Sequence, residues 1–302
     1  MFGQMTGLIS IFVVTQALAA PPLPAAPTNA AHPGSKIYSY QYDEKSMSCA
    51  SRQVTLYLPR PHVAGETFPV VIYGHGQALD LDAYRGTFEH LAGKGVAVIF
   101  PTYDTGFFDQ DWTRMGRDYV SVAACVIQLN ASIAADQTVF SGHSKGAYVA
   151  SVAAGLAEKE SLAIRPRTLV LFESAGVDKA SIGAVLPSTS SIVIYADRDK
   201  TVDRQISEDI FNSVRSFVKR FIFVKSYTTE TASPLLADHF FPLTKGSFFG
   251  GGNESALHYY GAWKWLVAAA EDLRSGGGFT NEYVYGAKTA DKGVSGFNDD
   301  VK

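Results

Sequence analysis

Short apolar runs that recur with helical stretches between them constrain this chain more than any other feature. FPVVIYG (68–74), VAVIFP (96–101), QTVFSG (137–142), RTLVLFES (167–174) and SIVIYA (191–196) are apolar with little alternation. That is the pattern of strands covered on both faces. Residues 80–95 read as a helix ended by glycine. Residues 114–130 carry an apolar stripe at Met115, Tyr119, Val122, Cys125, Val126 and Leu129. Residues 145–159 form a small-residue helical run, and residues 204–219 repeat at Ile206, Ile210, Val214 and Val218. A further strand is expected over 220–227 and a final helix over 256–273. The segments 36–45 and 52–59 alternate and read as β-structure at the start of the domain. Strands separated by helices imply an α/β fold: a mostly parallel central sheet with helices on both faces.

The chain has 302 residues, 46% hydrophobic and 18% charged, enough to bury a full core. Lys and Arg number 26 against 29 Asp and Glu, so no basic surplus exists to neutralise a phosphate backbone and no nucleic-acid partner is expected. Two cysteines exclude a disulfide scaffold and a four-cysteine zinc module. No H-E-x-x-H motif is present, and no metal or cofactor is expected.

The N-terminus reads as an address. Residues 7–14 (GLISIFVV) are apolar, and Ala17 and Ala19 give the small-x-small pattern of a signal-peptidase site. Residues 1–19 are therefore expected to be a signal peptide for secretion or export to a periplasm, although MFGQMT lacks Lys and Arg. The run is too short for a stable membrane span, and no other run approaches one. Residues 20–35, rich in Pro and Ala, read as a flexible spacer, 36–287 as the folded domain and 288–302 as a polar tail. In an oxidising compartment Cys49 and Cys125 are either a disulfide or two buried thiols.

Gly142-His143-Ser144-Lys145-Gly146 matches G-x-S-x-G. It ends an apolar strand and opens a small-residue helix, the setting of a nucleophile elbow. A serine on such a bend projects above the carboxyl ends of the strands, where α/β sheets bind ligands. The start of the next helix aims backbone N–H groups at developing negative charge.

With this motif the chain resembles the α/β-hydrolase family, over roughly residues 50–275. It is most similar to compact lid-poor esterases: cutinase-like polyester hydrolases, chlorophyllases and the dienelactone-hydrolase-like group. The likeness is carried by residues 70–103, TVFSGHSKGAYVA, IVIYADRDKTV and ADHFF. It implies an α/β-hydrolase fold with a minimal cap and a triad in the order serine, acid, histidine. Ser144 is then the nucleophile. Of seven histidines, His239 and His258 lie beyond the last strand, where the family places its base, and His239, in a loop, is favoured. His75 falls in the family's structural His-Gly motif, and His143 should point away from the serine. Asp199, in the turn after strand 191–196, resembles the family's acid, with Glu173, Asp203 and Asp197 as rivals. The backbone N–H of Lys145, the residue after the nucleophile, should serve the oxyanion. By resemblance, the second donor is the N–H of Gln77.

The connection 174–190 leaves room for at most a short helix, so an open, shallow site is expected. Tyr103, Phe107, Phe108 and Trp112 on one loop, and Phe240, Phe241, Phe248 and Phe249 on another, offer an aromatic substrate platform or loop packing. The expected activity is cleavage of small-molecule or polymeric carboxylic esters through an acyl-enzyme. An amide or peptide hydrolase of the same fold and a non-catalytic binding protein are the alternatives.

Overall fold

Nine strands form one sheet in the computed structural model, which describes residues 23–104, 106, 108–226, 235–246, 251–290 and 299–301. The expected signal peptide and Phe107, Phe248 and Phe249 lie outside these residues. In chain order the strands are β1 (Tyr42–Cys49), β2 (Arg52–Pro59), β3 (Phe68–Gly74), β4 (Ala97–Pro101), β5 (Ile133–His143), β6 (Thr168–Phe172), β7 (Ser190–Ala196), β8 (Lys219–Val224) and β9 (Asp299–Val301). Their spatial order is β1-β2-β4-β3-β5-β6-β7-β8-β9. From β4 to β8 neighbouring strands run parallel, while β1, β2 and β9 are antiparallel to their neighbours. The apolar runs became the parallel strands for the expected reason: every residue of β3, β4, β6 and β7 is buried.

Among the described residues six α-helices cover the sheet: α1 (Leu81–Gly93), α2 (Trp112–Leu129), α3 (Lys145–Lys159), α4 (Lys179–Ile182), α5 (Arg204–Ser213) and α6 (Trp263–Arg274). One core packs α1 and α6 on one face, through residues such as Tyr84, Phe88 and Trp265. The other packs α2, α3 and α5 on the opposite face, through residues such as Tyr119, Val149 and Ile210. The chain leaves β3 toward β4 on one side and reaches β5 on the other. The carboxyl ends of β3 and β5 therefore flank the point where strand order reverses, the usual ligand crevice of such sheets.

Four sequence expectations change. Residues 30–35 are not a loose spacer: the Lys94 ammonium donates to the carbonyls of Ala30 (3.2 Å) and His32 (3.4 Å), the His90 ring bonds the Pro33 carbonyl (2.9 Å), and Ser35 is buried. Nor does the folded domain end at residue 287. The Thr289 carbonyl accepts from Lys264 and from the Trp265 indole, and β9 pairs with β8. Helix α5 stops at Ser213 because Val214 turns extended and enters the core, shortening the expected 204–219 helix. The final helix is broken near its start by a π-turn, His258–Ala262, with Gly261 at φ −123°, ψ −106°. Cys49 and Cys125 form a disulfide with Cα atoms 5.9 Å apart, tying the end of β1 to the middle of α2.

Candidate active site

Ser144 is the single residue between β5 and α3, at φ 56°, ψ −120°. That is a strained conformation for a residue with a Cβ, and it is held from both sides. The Ser144 N–H donates to the Phe172 carbonyl (2.9 Å), and the Ala175 N–H donates to the Ser144 carbonyl (3.1 Å). Gly142 allows the bend, because a Cβ there would stand 2.4 Å from the carbonyl carbon of Gly146. The hydroxyl is thereby raised above the β3–β5 crevice.

The structure brings three predicted residues together around that hydroxyl. Ser144 Oγ lies 2.9 Å from His239 Nε2, and His239 Nδ1 lies 2.8 Å from Asp199 Oδ2. The other carboxylate oxygen of Asp199 accepts the N–H groups of Thr201 (2.7 Å) and Val202 (3.1 Å). Its side chain has no exposed surface. Asp199 is thus held in place by three hydrogen bonds, two from backbone N–H groups and one shared with the ring. With Nδ1–H given to Asp199, Nε2 is left to accept the Ser144 proton. The Tyr195 hydroxyl bonds the carbonyls of Asp199 and Val202 and fixes this turn.

The rival residues have other tasks. Asp197 accepts from the N–H and hydroxyl of Ser226, whose oxygen accepts the Ala237 N–H, so it ties the Asp199 turn to the His239 loop. Asp203 caps α5 by accepting the Gln205 N–H. His258 is fully buried in bonds with the Ser255 N–H and the Leu243 carbonyl, and burial holds its pKa down at about 4. Glu173 stands at φ 48°, fully buried, with neither carboxyl oxygen hydrogen-bonded. Burial, and then the charges of Asp199 and Asp238, push its pKa well above the usual carboxylate range.

Lys145 is the first residue of α3, so its N–H has no intrahelical acceptor and points out of the helix start. Its ammonium is buried against Asp104 Oδ2 at 2.9 Å. Gln77 lines the same cavity as Ser144. The sequence reading missed Asp104, although it stands on the loop after a buried strand. The Lys145–Asp104 pair spans 41 residues and has no local signature.

The cavity over Ser144 has a volume of about 190 Å³, and Leu79, Thr201 and Phe240 are among its walls. Of the expected aromatic platform, Phe240 lines this cavity. Tyr103 does not: it is fully buried, stacked on His75 with ring centroids 4.4 Å apart, and its hydroxyl bonds the His75 carbonyl. Its polar tip thus satisfies a buried backbone group instead of meeting solvent. Trp112 packs against Tyr148 (4.5 Å), Phe108 is 87% exposed, and Phe241 is buried. A larger cleft of about 500 Å³ begins across Leu79 and includes His75, Thr102 and Asp104.

His143, Glu173 and His239 offer metal-ligating atoms within 4.8 Å of one another. Both nitrogens of each ring are already hydrogen-bonded, so a cation would have to displace the bonds of His239 to Ser144 and Asp199. A scan against protein-family models finds no match for this chain, and a comparison with curated proteins finds none either.

Proposed function

We propose that this protein is a serine hydrolase of carboxylic esters, built on an α/β-hydrolase fold and exported from the cytoplasm. The single observation that carries the reading is His239 placed between Ser144 Oγ at 2.9 Å and Asp199 Oδ2 at 2.8 Å. A serine hydroxyl is a weak nucleophile until a base takes its proton, and imidazole is the side chain suited to that near neutral pH. The Cys49–Cys125 disulfide supports an oxidising compartment.

In this reading Ser144 Oγ attacks the ester carbonyl carbon as His239 Nε2 takes its proton. The N–H groups of Lys145 and Gln77 donate to the oxygen that gains the negative charge. As the tetrahedral adduct collapses, the bond to the alcohol oxygen breaks and that oxygen takes the proton from His239. Water then loses a proton to His239 and attacks the acyl carbon. The second collapse releases the carboxylic acid and returns the proton to Ser144. Asp199 keeps its hydrogen bond to Nδ1 throughout and orients the ring. The small, partly apolar cavity suits a short acyl group.

Fluorophosphonate labelling of the wild type and Ser144→Ala, with a p-nitrophenyl ester chain-length series, tests the reading. It expects labelled wild type, unlabelled mutant and fastest turnover of short acyl chains. Persistent labelling of the mutant, or none of the folded wild type, overturns it. Labelling without ester turnover would move the activity to amides.

A further inference from the structure

His143, the residue before the nucleophile, has no exposed side-chain surface, yet both ring nitrogens are occupied. Nε2 lies 2.6 Å from the backbone carbonyl of His239, and Nδ1 lies 2.9 Å from the Tyr84 hydroxyl. The Tyr84 oxygen also accepts the N–H of Gly76 at 2.9 Å. The direction of this chain is forced. A carbonyl only accepts, so Nε2 carries the proton. Burial holds the His143 pKa well below the usual value and keeps the ring neutral, so Nδ1 must accept and Tyr84 must donate. Gly76 N–H therefore donates to Tyr84, Tyr84 to His143, and His143 to the His239 carbonyl.

The surroundings preserve that order. Glu173 Oε2 is 3.8 Å from His143 Nε2, near enough to be a rival for its proton. At that distance it makes no hydrogen bond to the ring, whereas the His239 carbonyl stands at 2.6 Å and holds the proton. Tyr84 is held by Tyr73 (5.2 Å) and by Phe88 and Phe100 (6.0 Å each), so its hydroxyl cannot swing off. A Cβ on Gly76 would come within 3.2 Å of both Tyr84 Oη and His143 Nδ1. The chain joins three segments distant in sequence: the loop carrying Gln77, the elbow carrying Ser144, and the loop carrying His239.

We propose that Tyr84 and His143 are positioning residues: they set the His239 ring over Ser144 and register it with the Gln77 loop. The role rests on the serine-hydrolase reading, because it is the base and the oxyanion donor that are registered together. Neither residue transfers a proton to substrate. Their effect is on geometry, and acyl transfer is sensitive to displacements of about 1 Å, which cost roughly 100-fold in rate.

The test compares Tyr84→Phe, His143→Leu and His143→Gln with the wild type on p-nitrophenyl acetate. It also follows the low-field proton resonance of His239 Nδ1–H in its bond to Asp199. Tyr84→Phe keeps the ring packing and removes only the hydroxyl. We expect it to lower kcat about tenfold with little change in KM, and His143→Leu about 100-fold. His143→Gln, whose amide can still donate to the His239 carbonyl, should recover much of that loss. The His239 resonance should shift in Tyr84→Phe and His143→Leu. Unchanged kcat in folded Tyr84→Phe together with an unmoved resonance overturns the proposal. A wild type that turns over no ester counts against the hydrolase reading instead. The resonance then decides the positioning role of Tyr84 and His143: a shift supports it and constancy overturns it.

Discussion

Gly146 and Gly74 meet backbone to backbone: a Cβ on Gly146 would stand 2.1 Å from the Gly74 carbonyl oxygen. Helix α3 can therefore approach β3 only because neither residue has a side chain there. Gly146→Ala should destabilise the fold by several kcal/mol, on the order of 3 or more, because the atom it meets is rigid backbone. Chemical denaturation would show this, and a midpoint within error of wild type would remove the close approach from the account of the elbow.

Ser144→Ala removes the proposed nucleophile and relieves a side chain held at positive φ only slightly, so folding should persist. Ester kcat should fall by about 10⁴-fold or more. Near-wild-type turnover by the purified mutant would contradict the role of Ser144.

Asp199→Asn keeps the shape of the turn but alters the proton arrangement. The amide can present its NH₂ group to His239 Nδ1 and so favour the tautomer that no longer accepts from Ser144. A loss of about 10³–10⁴-fold in kcat with little change in KM is expected. A comparable loss in Glu173→Gln with none in Asp199→Asn would reassign the acid.

The disulfide closes a loop between positions 76 residues apart. Constraint of the unfolded chain by a loop of that length contributes about 4.5 kcal/mol. Cys49→Ser with Cys125→Ser should lower the unfolding free energy by up to that amount, while kcat at 25 °C stays close to wild type. Equal denaturation midpoints for the double mutant and wild type would show that the bridge contributes nothing.

Burial depresses the pKa of His90 to about 3 and of His258 to about 4. Unfolded, both should titrate near ~6.5. Below about pH 6.5 the unfolded chain takes up protons that the folded chain refuses. Their contribution to stability is therefore complete above that pH and is lost as the pH falls toward 4. Each group costs on the order of 1 kcal/mol per pH unit in that window. Unfolding midpoints measured from pH 8 to pH 5 should fall on the acid side; a flat profile would contradict the buried neutral rings.

What could be read from the residues was what local chain carries. The parallel strands were visible because burial on both faces demands uninterrupted apolar runs. Ser144 was visible because a bend of this kind needs glycines at fixed offsets. Asp199 was visible because its turn is contained in Ala196 to Val202. Tyr84 and His143 gave no such signal: their contacts cross 59 and 96 residues and depend on where loops land. The docking of residues 30–35 was hidden because backbone carbonyls of Ala30, His32 and Pro33 make it, and composition is silent about those. Tyr103 misled because an aromatic on a loop above a sheet can serve as a wall or as ballast.

The short strand β9 lies antiparallel along β8, pairing Ile222 with Val301 and Val224 with Asp299. Without it the last parallel strand would offer a row of bare amide and carbonyl groups to any extended chain passing by. Three residues thus cover the far half of that edge with a strand too short to template another, and removing them should favour clumping of the folded protein.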